Sequence, residues 1–147
     1  MHSCFDVAKY FLAQSSEDAG DLISNLKLQK LVYYAQGFSL ALSGRPLFDE
    51  HIEAWLHGPV VPALYHHYKD FGSGHIPHPV AFDLGIFTAQ ERELLDEVYE
   101  FYGQYSAWRL RQLTHDESPW RESYREGSNQ VIHRDSMTRF FQTQVVH

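Results

Sequence analysis

From position 88 the chain reads "TAQERELLDEVYEFYGQY". Its apolar positions Leu94, Leu95, Val98, Phe101, Tyr102 and Tyr105 recur at the spacing of one helix face, with Arg92, Glu93, Asp96, Glu97 and Glu100 opposite. Thr88 followed by Glu91 has the form of a capping box, in which hydroxyl and carboxylate satisfy each other's backbone N–H groups. The pattern predicts a surface helix over 88–105 with an aromatic inner face. A second helix is predicted over 25–42, where Leu28, Leu31, Val32, Ala35, Phe38 and Leu42 form the stripe. Ser24 or Asn25 suits its N-cap, and Gly44 suits its end. Its apolar arc is wide and its polar face thin, as in a central helix buried on more than one side. A shorter first helix, over 3–14, packs through Phe5, Ala8, Phe11 and Leu12.

The segment "RPLFDEHIEAWLHG" breaks this period and alternates weakly. It predicts a loop or small strand carrying Trp55 over the core, with at most a short β-hairpin at 50–56. Gly58-Pro59 reads as the start of a third helix, because proline at the first helical position forfeits only an N–H with no intrahelical partner. Pro62 then falls in the first turn, and Val61, Leu64, Tyr65 and Tyr68 form a stripe that ends at Gly72. The Gly-, Ser- and Pro-rich run at 72–85 predicts a surface loop. Short helices follow from Ser106 (carrying Trp108, Leu110 and Leu113), from Ser118 as N-cap with Pro119 first in the helix, and over 135–142. The expected fold is mainly α, a compact single-domain helical bundle of six to seven helices spanning 1–147. Trp55 and Trp120 should each be more than half buried.

Composition narrows the function. With 44% hydrophobic and 21% charged residues the chain is globular, and 15% aromatics implies rings in the core or at an interface. A formal net charge of −7 disfavours broad contact with a nucleic-acid backbone. Arg109 and Arg111 in "WRLRQL" are the one candidate basic patch. Cys4 is the single cysteine, so neither an intrachain disulfide nor a Cys-based zinc site is expected. The N-terminus lacks the basic and apolar regions of a signal peptide, and no apolar run spans a membrane; a cytoplasmic protein is expected.

Ten histidines invite a metal site. Yet His66 and His67 are adjacent, and His75 and His78 sit in a proline-flanked loop. None follows the i, i+4 pattern with an intervening glutamate that zinc helices use. Ser106, Ser118 and Ser128 lie in caps or turns, Cys4 lies in a terminal helix, and pairs such as Asp49-Glu50 and Asp116-Glu117 read as solvated. His115, at the end of a short helix, reads first as a capping residue packed near Trp120. No cofactor, metal ligand or catalytic residue is assigned.

Three blocks, Leu28-Gln29-Lys30-Leu31 with Tyr33-Tyr34, Ala54-Trp55 with Gly58-Pro59-Val60, and Thr114-His115 with Pro119-Trp120, give the chain a specific resemblance to the SocA-like or Panacea family. That family includes phage-associated proteins of the GepA kind. The resemblance implies a small, mostly helical antitoxin of a two-gene toxin–antitoxin system that neutralises its toxin by direct binding. One branch also hands its toxin to a protease. The implied partners are a protein toxin, encoded by the adjacent gene, and a cytoplasmic protease; no nucleic acid or membrane is implied. Leu28, Leu31, Gly58, Pro59, Pro119 and Trp120 read as structural motif positions. Lys27, Lys30, Tyr34, Trp55, His57, Tyr65, His66, His67 and His115 are the expected partner-binding groups. The alternative is a small hydrolase or metal-binding domain using His66, His75, His78 or His115.

Overall fold

The computed structural model describes residues 1–15 and 22–145. Among them, seven α-helices and a small three-stranded sheet follow the order α1 (Cys4–Gln14), α2 (Asn25–Ser43), β1 (Ile52–Trp55), β2 (Gly58–Val60), α3 (Pro62–Tyr68), α4 (Ala89–Tyr102), α5 (Ala107–His115), α6 (Ser118–Ser123), β3 (Gln130–Ile132) and α7 (Arg134–Gln144). Helix α2 is the axis. It packs against α1, α3, α4, α5, α7 and β2, and its buried positions run around most of its circumference. Ser24 caps its start by accepting the Lys27 N–H, and Gly44 ends it at φ +71°.

An axial helix surrounded on every side must also bury its polar side chains, and each then needs a partner. Gln36 donates to the Phe48 carbonyl (2.9 Å) and accepts from the Leu47 N–H (2.7 Å), tying down the loop after α2. Gln29 accepts from the Val61 N–H (2.9 Å) and donates to Asn25 (2.8 Å), while Asn25 donates to the Tyr65 carbonyl. On the α7 side the Phe141 ring lies so close over Gly37 that a Cβ there would be 2.1–2.5 Å from its ring atoms. Only glycine admits that ring.

The predicted capping box of α4, Thr88 with Glu91, is present, and α1 carries a second reciprocal pair in Ser3 and Asp6. Four local expectations are corrected. Gly58-Pro59 does not start a helix: Gly58–Val60 is strand β2, paired antiparallel with β1, and the helix begins at Pro62 after Val61. Both prolines suited a first helical position, and strand pairing selected the second. Helix α4 ends at Tyr102 instead of Tyr105, and α6 takes Ser118 into its first turn with Glu117 as N-cap. Leu42 and Phe101, placed in the apolar stripes, point outward; Trp108 does too. Trp55 is mostly buried but lies on the outer face of β1, because Ile52 and Ala54 take the inner one. Strand β3 joins β1 on the side away from β2, giving the order β2-β1-β3.

Candidate functional site

The three sequence blocks meet where α2, the β1–β2 hairpin and the α5–α6 corner come together. Trp55 pairs with Gly58, so the hairpin turn has two residues, Leu56 and His57. Neither has positive φ; the unusual backbone falls on Gly58, at φ +114°. A Cβ there would be 2.7 Å from Lys30 Cε and 2.9 Å from Thr114 Oγ1. Gly58 is thus fixed twice, by its backbone and by the two side chains packed on it.

Lys30 is completely buried. Its Nζ donates to the Pro59 carbonyl at 3.3 Å, and no carboxylate among the described residues pairs with it. Burial first, and the Arg111 charge second, hold its pKa down to about 7. Lys27 is buried too and donates to the Gly103 carbonyl at 2.7 Å, anchoring the end of α4. One turn along α2, Tyr34 donates to Glu117 Oε2 at 2.8 Å and stacks on Tyr102 at 3.8 Å. The Tyr33 hydroxyl lies near the same carboxyl but makes no hydrogen bond with it, and Glu117 Oε1 is buried without a partner. Burial pushes Glu117 up to about 8 against the lowering effect of the Tyr34 bond. Burial and the nearby carboxyl raise Tyr33 and Tyr34. The corner holds a lysine and a glutamate in separate pockets, each biased toward its neutral form.

His115 stacks on Trp120 with centroids 3.9 Å apart and planes 7° apart, and Trp120 stacks in turn on Tyr124. The Trp120 indole N–H donates to the Trp55 carbonyl at 2.7 Å, closing the corner onto the hairpin. The His115 Nε2 is buried with no hydrogen-bond partner, and burial followed by the Arg111 charge lowers the ring's pKa.

The sequence-predicted partner groups therefore divide. Lys27, Lys30 and Tyr34 are corrected from contact residues to interior ones, since an axial helix has no free face. His115 is half-buried in its stack. His67 turns away toward Phe5 of α1, with ring centroids 5.1 Å apart. Trp55, His57, Tyr65 and His66 remain on the outer side of the hairpin: Tyr65 packs edge-on against Trp55 at 5.0 Å, and His66 lies 6.3 Å from the same ring. Two further groups complete that surface and were not singled out as contacts by sequence reasoning. Leu56 is 59% exposed at the hairpin tip and Trp108 58% exposed on α5. Arg111 joins Trp108 to the hairpin turn, donating from Nε to His57 Nδ1 at 3.0 Å and lying 4.6 Å over the Trp108 ring. The Trp108-to-Arg111 spacing of three residues was the available signal.

His66, His75 and His78 are exposed and do not converge with His115; among the described residues no group of three or more His, Cys, Asp or Glu side chains has a metal-holding arrangement. Glu117 is corrected from a solvated carboxylate to a half-buried residue whose Oε1 is enclosed, and Asp49 pairs with Arg134 at 3.0 Å. No helix of the described residues is long and apolar enough to cross a membrane.

Comparison with known proteins agrees with this geometry. Residues 28–121, which carry all three blocks, match the family model described as antitoxin SocA-like, Panacea domain. The chain is also 35% identical over 109 residues to Antitoxin SocA of Caulobacter vibrioides (strain NA1000 / CB15N), a match covering 67% of this chain. It spans 58% of that relative's length. No solved structure matches. The matched segment begins within α2 and ends in α6, so it contains the axis, the hairpin and the corner that closes on it: the chain belongs to the SocA-like antitoxin family, as a Panacea domain.

Proposed function

We propose that this protein is the antitoxin of a two-gene toxin–antitoxin system and that it acts by binding its toxin directly, as a stoichiometric blocker. The observation that carries this reading is the outer side of the hairpin. The family's buried positions serve to fix a two-residue turn and one face of α5, and what they hold out to solvent is aromatic. Lys30, Gly58 and Thr114 lock the hairpin from beneath, and Trp120 clamps it through the Trp55 carbonyl. Above that scaffold lie Trp55, Leu56, His57, Tyr65, His66, Trp108 and Arg111. A rigid surface with aromatic and arginine anchors is the composition that concentrates binding energy at protein interfaces.

The toxin, on this reading, is a cytoplasmic protein encoded next to the antitoxin. Delivery of the bound toxin to a protease, the further activity implied for one branch of the family, requires a second free surface while the toxin is held. The test is co-expression of the full chain with the product of the neighbouring gene, followed by size-exclusion chromatography. The reading expects co-elution at a fixed molar ratio and rescue of growth. Rescue without a complex, or no rescue at all, contradicts it. Adding the host's cytoplasmic proteases then separates blocking from delivery: a blocker protects without them.

A further inference from the structure

Resting on that reading and deepening it, we infer that the Trp108–Arg111–His57–Leu56 surface receives an acidic segment of the partner protein: a carboxylate seated on the Arg111 guanidinium, with an adjoining apolar side chain laid against Trp108 and Leu56.

Three observations carry the inference. The first is the arrangement of Arg111. Its Nε is committed to His57 Nδ1 and one face of its guanidinium is covered by Trp108, which fixes the plane of the fork. The two terminal nitrogens, with four N–H groups, have no acceptor among the described residues. A guanidinium fixed at Nε and on one face presents its outer edge for two parallel bonds to a carboxylate.

The second is charge. The chain carries −7 overall, yet no described carboxylate pairs with Arg111. Lys30 lies beneath, His57 and His115 lie beside it, and the Arg111 charge works against protonation of both Lys30 and His115. The Arg111 guanidinium, a positive charge without its anion on an acidic protein, is complementary to an anion brought by something else. Arg109, two positions from Arg111 on α5, lies on another face of the helix and does not extend the patch into a track. A single fork and a histidine fit isolated carboxylates better than a phosphodiester chain, which needs several cations in register and is repelled by the overall charge.

The third is the apolar flank. Leu56 and Trp108 are both more than half exposed, in a molecule that buries most of its large apolar residues. With Arg111 between Trp108 and the hairpin tip, the surface alternates ring, cation and aliphatic group. That suits a segment in which Asp or Glu neighbours Leu, Phe or Trp.

The test is selection of a random phage-displayed peptide library on the immobilised full chain, followed by fluorescence anisotropy with the enriched peptides. The expected result is enrichment of Asp or Glu next to an apolar residue. Changing those acids to Asn or Gln, or the protein to Arg111→Met or Trp108→Ala, should weaken binding about tenfold or more. Arg134→Met, on α7 and paired with Asp49, should leave binding unchanged. The inference is overturned by peptides without acidic bias, by amide versions that bind equally, by equal binding to Arg111→Met, or by an oligothymidylate that competes through Arg111. The toxin complex is assayed with the same variants. If wild type forms it and Arg111→Met does too, the acidic-segment inference fails alone. If wild type forms none, the antitoxin reading fails, and the peptide result is judged separately.

Discussion

Lys30→Met should stabilise this protein at pH 6, and the size of the gain can be worked from the structure. Lys30 has no exposed surface and no carboxylate partner, and its pKa falls from 10.5 to about 7. A folded-state pKa below the unfolded one means that the unfolded chain binds more protons between those values, so stability rises with pH across that window and the cost is fully present below pH 7. At about 1.4 kcal/mol per pH unit, keeping the charge buried costs roughly 5 kcal/mol at pH 6. Methionine removes the charge, fits a similar volume and adapts its shape. It also leaves the Pro59 carbonyl without its 3.3 Å donor, which costs about 1 kcal/mol. The variant should therefore be more stable by about 4 kcal/mol at pH 6, and by only about 1 kcal/mol at pH 9. Urea unfolding at the two pH values measures this. Glu117, whose raised pKa makes stability fall with pH over its own window, is common to both proteins and cancels in the difference. A variant less stable than wild type at pH 6, or a difference that does not change with pH, would refute the reasoning.

Other interior positions give sharp expectations. Gly37→Ala places a Cβ on the Phe141 ring and should cost roughly 2 kcal/mol or more, despite better helix propensity; adding Phe141→Leu should recover part of the loss, and purely additive effects would contradict the close approach. Gly58→Ala combines φ +114° with contacts below 3 Å to Lys30 and Thr114 and should lower stability by about 2 kcal/mol or more, so a variant that melts with wild type would show that the turn is not held as described. Glu117→Gln keeps an acceptor for Tyr34 while abolishing titration. Because the folded pKa of Glu117 is raised from 4.5 to about 8, the stability of the variant relative to wild type should grow between those values and level off above, as read from denaturant midpoints across pH; a flat difference would mean that Glu117 is ionised in the fold.

Much of this was legible in the sequence where the signal is local. The capping box at Thr88 and Glu91, the Gly44 stop and the wide apolar arc of α2 each depend on residues within a few positions of one another. What escaped depends on distant pairing. Pro59 and Pro62 are equally good helix starters, and only the antiparallel partnership of 58–60 with β1 decides between them. Strand β3 lies some seventy residues further along and pairs on the far side of β1. The same holds for polar burial. Lys27, Lys30 and Tyr34 resemble surface anchors in sequence, and Glu117 resembles a solvated acid; their interior places follow from helices packed around α2 on all sides. Trp108 reads in the sequence only as one of the apolar residues its helix carries, and it stands outside because the inner face of α5 is taken by Leu110 and Thr114. Its exposure beside Arg111 is what turns a packing residue into a candidate contact.

The central claim, a binding antitoxin without turnover, is tested most directly by titrating purified protein against a fixed amount of the neighbouring gene's product and measuring residual toxin activity with no protease present. The account predicts protection that rises linearly with the molar ratio, saturates at the stoichiometry of the isolated complex, and does not increase with incubation time once binding is complete. Inactivation of a large molar excess of toxin by a trace of this protein, growing with time, would contradict it.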